Sequence, residues 1–152
     1  MSVDQSVIQD LIKTLENGHE GFKRAAEKLS SSNEPALATE FTRFGDQRAE
    51  FASELAQLAA TYGDHVDERT TVPGALHRGW MAVKDMLAGS DAHGVLDAAA
   101  QGEDHAVGEY ESALKADISG GLRTVINRQF AEVRTARDRV VAARDNAMAR
   151  ND

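Results

Sequence analysis

Apolar residues recur at intervals of three and four along four long stretches of the chain, the spacing that lines one face of a helix. The first stretch, about residues 4–29, carries Val7, Ile8, Leu11, Ile12, Leu15, Phe22, Ala25, Ala26 and Leu29. The second, about 35–62, carries Leu37, Phe41, Phe44, Phe51, Ala52, Leu55, Leu58, Ala59 and Tyr62. Val95, Leu96, Ala99, Ala106, Val107, Tyr110, Ala113 and Leu114 mark the third, about 92–117. Leu122, Val125, Ile126, Phe130, Val133, Ala136, Val140, Val141, Ala143 and Ala147 mark the fourth, about 122–149. A shorter helix over about 73–88 presents Leu76, Gly79, Trp80, Val83 and Leu87. The only two prolines, Pro35 and Pro73, stand where helices would begin, the position a helix tolerates best. The pattern predicts an all-α protein, with residues 1–152 forming a single bundle.

The connections constrain the topology. "SSSNEP" (30–35) and "ISGG" (118–121) are short turns, so helices one and two, and three and four, should form antiparallel hairpins. Between the hairpins lie 29 residues, 63–91. A long helix here spans roughly 40 Å at ~1.5 Å per residue, and the connection can run that whole distance. The short helix would then ride on the flank, with Trp80 covering it. Two hairpins joined by one full-length crossover make the ferritin-like plan, as distinct from an up-down-up-down bundle.

Composition narrows the function. No cysteine is present, which excludes disulfides, thiolate metal sites and cysteine nucleophiles. A net charge of −8 argues against a nucleic-acid partner or binding to an anionic membrane. The charge is uneven: residues 119–150 sum to +4 and the remainder to −12. Seven arginines scattered around the last helix point to contacts with acidic neighbouring helices. The N-terminus "MSVDQSVIQDLIK" has no signal-like apolar run, and no stretch approaches a membrane span, which predicts a cytoplasmic protein.

Ferritin-like metal proteins draw a Glu from each of two helices and a Glu-x-x-His from each of the other two. Here the corresponding positions read Glu50-Phe-Ala-Ser53 and Glu132-Val-Arg-Thr135, with serine and threonine in place of histidine. The one Glu-x-x-His, Glu16-Asn-Gly-His19, is on the first helix, where the pattern does not call for it. At 100° per residue, Glu20 and Glu50 lie far from their apolar stripes and should be solvated. The same count turns His19, Arg48, Glu103, Gln129 and Arg137 inward, close to mid-height. Buried charge must be paired. The expectation is therefore an Arg48–Glu103 ion pair, with His19 hydrogen-bonding to it and Gln129 or Arg137 completing the layer. No cofactor is expected. The alternative is an iron or manganese site built from Glu16, His19, Glu103 and Glu132. A weaker possibility is a small anion held by Arg48 and Arg137. Gly18, Gly45, Gly79 and Gly102 are counted inward and would allow close helix approach or room for the layer. His65, His77, His93 and His105 fall in loops or on outward faces. Gly-rich phosphate loops and nucleophile elbows are absent from the sequence. The echo between "QRAE" (47–50) and "QFAE" (129–132) hints at two related halves.

"ENGHEGFKRAAEKL" (16–29), "QRAEFASEL" (47–55), "PGALHRGWMAVK" (73–84), "GEDHAVGEYESAL" (102–114) and "RQFAEV" (128–133) together resemble a known family. It comprises small bacterial ferritin-like four-helix-bundle proteins catalogued as a domain of unknown function. "GALHRGW" with "QRA" and "GED" carries most of the resemblance. The resemblance implies a ferritin-like fold in a bacterial cytoplasmic protein and transfers no catalytic residue. The expected function is non-enzymatic, through an unidentified protein partner or a homo-oligomer.

Overall fold

The computed structural model describes residues 2–61 and 91–151. Four helices account for nearly all of them: α1 (Val3–Ser31), α2 (Pro35–Thr61), α3 (Ala92–Lys115) and α4 (Gly120–Asn151). Among the described residues there is no strand. The expected helix over 73–88, together with Tyr62, His65, His77, Gly79 and Trp80, lies outside them.

Local chemistry sets each helix end. Ser2 caps α1 by accepting from the Gln5 amide at 3.0 Å. Between α1 and α2 the chain closes a Schellman turn. Asn33 takes the left-handed conformation at φ 62°. Its amide bonds the Ser30 carbonyl at 3.3 Å, and the Glu34 amide bonds that of Leu29 at 2.9 Å. Pro35 then opens α2, where its missing N–H costs nothing. Asp91 caps α3 through the Gly94 amide at 2.9 Å. That helix stops at Lys115, two residues earlier than the periodicity suggests. Arg123 explains the stop, donating to the carbonyls of Leu114 at 2.8 Å and Ala116 at 3.1 Å. α4 starts earlier than expected, at Gly120, because the Ser119 hydroxyl accepts from the Leu122 amide. Asp4 on α1 accepts from both the Ser119 amide, at 2.9 Å, and its hydroxyl, at 2.5 Å. The start of α1 is thereby tied to the α3–α4 turn.

The core falls into two clusters. One joins Ile8–Leu15 of α1 to Phe51–Ala59 of α2, Ala106–Ala113 of α3 and Leu122–Val133 of α4. The other joins Phe22–Leu29 of α1 to Phe41, Val95–Ala100 and Val140–Ala147. Chain directions follow from this pairing. α1 and α4 run one way and α2 and α3 the other. α1 packs against α2 and α3, and α4 packs against α3 and more sparsely against α2. α2 and α3 therefore face each other diagonally across the axis. In α3 the innermost alanine is Ala100, fully buried, while Ala99, counted inward from the sequence, is only half-buried. Among the described residues, no helix is long and apolar enough to cross a membrane.

Candidate functional site: a buried ion pair at the waist of the bundle

The gap between the two clusters falls near residue 18 of α1, 48 of α2, 103 of α3 and 136 of α4. On α2 the buried face runs Phe41, Gly45, Arg48, Phe51, Ala52 and Leu55. Arg48 occupies a helical step of that face, so the backbone gives it no way out. Glu103 holds the equivalent step on α3, between Ala100 and Ala106. Their exposures are 1% and 3%.

The two side chains meet across the diagonal. Arg48 Nη1 donates to Glu103 Oε1 at 2.8 Å, and Nη2 donates to Oε2 at 2.7 Å. This parallel, two-pronged contact is the geometry in which guanidinium and carboxylate bind most strongly. The Phe22 ring lies 5.1 Å from the guanidinium carbon, a cation–π contact to a buried arginine. α1 passes close beside this arginine at Gly18, where an added Cβ would make ordinary contact, 3.5 Å from Arg48 Cγ and 3.6 Å from Nη1. Ala136, 2% exposed, is the residue α4 brings to this level.

His19, half-buried, does not join the pair. Its Nδ1–H donates to the Gly45 carbonyl at 2.9 Å, which clamps α1 to α2 at the same height. Glycine eases this approach, since a Cβ on Gly45 would crowd Phe22 Cβ at 3.3 Å and the His19 carbonyl oxygen at 3.4 Å. Gln129 is fully buried, but it belongs to a second cluster inside the aliphatic half of the core. It accepts from Tyr110 Oη at 2.7 Å. Its Nε2 donates to Glu54 Oε1 at 2.8 Å and to the Phe51 carbonyl at 3.3 Å. Glu54 in turn pairs with Arg128 at the surface. Burial holds the Tyr110 hydroxyl well above the ordinary phenol range, the nearby Arg48 charge offsetting part of the rise. Tyr110 stacks on Phe130 with ring centroids 6.1 Å apart.

Arg137 corrects the expected layer. It is 30% exposed and pairs at the flank with Asp138 at 2.9 Å and Asp104 at 3.4 Å. Its neighbour Ala136 is the inward residue, and one position turns a helix by about 100°. Gly102, also counted inward, is exposed. Three other α4 arginines reach carboxylates on adjacent helices, Arg139 on Glu40, Arg144 on Asp97 and Arg128 on Glu54, while Arg134 lies over the Phe130 ring.

The alternative metal set does not assemble. Of that set, Glu132 is exposed, Glu103 has both oxygens on Arg48 and His19 turns to the Gly45 carbonyl; Glu20 and Glu50, expected to be solvated, are exposed. Among the described residues, no three His, Asp or Glu side chains gather closely enough to hold a metal ion. Sequence reasoning also passed over Tyr110 as a polar group. The available signal was an inward tyrosine two helical turns beyond Glu103, whose hydroxyl would need a buried partner.

Helices of this length, packed around a core that an ion pair divides, define an all-helical protein whose distinctive chemistry is internal. Residues 5–116 match the model of the family described as "Domain of unknown function (DUF2383)", and the chain belongs to that family. The match includes Arg48 and Glu103 and ends at the close of α3. No curated protein matches the chain.

Proposed function

We propose that this chain is a ferritin-like bundle of the bacterial cytoplasm that has no di-metal centre and works through protein contacts or self-association. The observation that carries the reading is the Arg48–Glu103 pair. It occupies the axis at mid-height, where ferritin-like metal proteins keep their carboxylate ligands. A guanidinium there neutralises Glu103 on both oxygens, and a metal ion would have to displace it. The parallel course of α2 and α3 supports the ferritin-like plan, because helices joined in that sense need a connection as long as the bundle. Ser53 and Thr135, where histidines would be needed, support the absence of a di-metal centre.

Metal analysis of protein purified without chelator, followed by aerobic iron titration, tests this reading. The expected result is substoichiometric metal and no oxo-bridge absorption band. One or two iron ions bound per chain with such a band would overturn it. Light scattering across a concentration series tests self-association, and a strictly monomeric species leaves contacts with other proteins as the mode of action.

A further inference from the structure

We propose that the groove between α1 and α3 seats residues 73–88 of the same chain, apolar side inward, with Trp80 at the recess in its middle. The two ends of the intervening chain set its path. α2 closes at Thr61 and α3 opens at Ala92, and because these helices run the same way, those points lie at opposite ends of the bundle. The chain between them must travel the bundle's length, about 40 Å at ~1.5 Å per helical residue. α2 and α3 are diagonal, so that path crosses either α1 or α4.

The surfaces on the two routes differ. Both grooves beside α4 are charged: Arg128–Glu54 and Arg139–Glu40 bridge it to α2, and Arg137–Asp104 and Arg144–Asp97 bridge it to α3. The α1–α3 groove instead holds an open recess of about 370 Å³, walled by Gly18, Gly21 and Ala25 of α1 and Ala98, Ala99 and Gly102 of α3. Among the described residues, a Cβ added at Gly102 meets nothing within 4 Å, so this glycine does not serve the packing of α1 on α3. Glycine weakens a helix relative to alanine, and a further element lying against the groove accounts for its presence. The sequence supplies that element. Leu76, Trp80, Val83 and Leu87 follow one another at four, three and four residues, one face of a helix, and small walls complement a large aromatic side chain. The level also fits. Leu76 and His77 stand midway between Thr61 and Ala92, and Trp80 follows within one turn. The recess is at mid-height too, between residues 14–25 of α1 and 98–106 of α3. This seating rests on the parallel course of α2 and α3 and is independent of whether the bundle binds metal.

Trp80 is the only tryptophan and the chain has no cysteine, so a single introduced label reports on Trp80 alone. Bimane attached to a cysteine loses fluorescence when a tryptophan touches it. On the full-length protein, labelled Gln101→Cys, at the exposed rim of the recess, should be strongly quenched. Adding Trp80→Phe should restore its emission while helicity holds. Labelled Thr135→Cys, on the exposed face of α4, should be bright with or without Trp80. In the unlabelled parent, Trp80 emission should lie to the blue of free tryptophan and resist acrylamide. Gly102→Leu fills the recess and should shift that emission red and open it to the quencher. Equal brightness of the Gln101→Cys label with and without Trp80 overturns the proposal, as does an unchanged Trp80 spectrum in Gly102→Leu. Quenching at Thr135→Cys would route the chain over α4, which sinks the seating in this groove and leaves the ferritin-like plan standing.

Discussion

Arg48–Glu103 and Tyr110–Gln129–Glu54 are both polar groups sunk in an apolar core, and they are built in opposite ways. The first is ionic and closed on itself, with no hydrogen bond to a third polar group among the described residues. The second is neutral at its buried end and passes its hydrogen bonds outward to the half-exposed Glu54 and Arg128. A charge can stay dry only with its counter-charge beside it, whereas a hydroxyl and an amide can hand their need for partners along to water. The ionic pair should therefore be brittle towards single substitutions, and the neutral chain should degrade gradually.

The largest expected effect comes from separating the ions. Arg48→Met should cost about 3–5 kcal/mol of unfolding free energy, because Glu103 is left buried and unpaired. The double variant Arg48→Met, Glu103→Leu should recover most of that loss, since an apolar pair of similar volume is often as stable as a buried ion pair. Urea denaturation of the single and double variants measures both. A single variant as stable as the parent would place Arg48 in water and sink the comparison.

Tyr110→Phe should cost about 1–2 kcal/mol, the value of one buried hydrogen bond and an acceptor left unmet. It also has a pH signature. The folded Tyr110 pKa is raised above its unfolded value of about 10. The folded state then keeps the proton where the unfolded state gives it up. This contribution is complete below pH ~10 and declines as pH rises further, by up to about 1.4 kcal/mol per pH unit. Chemical denaturation between pH 9 and 11 should show that decline in the parent and a shallower one in Tyr110→Phe.

Gly45→Ala is expected to cost about 1 kcal/mol. The added methyl presses Phe22 and the His19 clamp, and this outweighs the gain in helix propensity. The smallest effect belongs to the outer end of the neutral chain. Arg128→Ala should change stability by under about 1 kcal/mol, and the change should shrink further in 0.5 M salt. If Arg128→Ala matched Arg48→Met, the two clusters would not differ in kind.

The apolar stripes of the sequence mark the four helices and turn Arg48 and Glu103 inward, because a helix advances about 100° per residue whatever surrounds it. Charge burial then demands that the two meet. The same count misjudged Arg137 and Gly102, which lie near the edges of their faces. At an edge, Arg137 reaches water with a small swing of its stem, and Gly102 has no side chain to bury.

What the sequence determined by itself is the angular position of each residue around its own helix, since that rests on local geometry alone. The tertiary structure decided the level at which helices meet and which of them are diagonal. Packing register sets those, through contacts between residues far apart in the chain. That register brings Ala136 to the level of the ion pair and gives Gln129 to Tyr110.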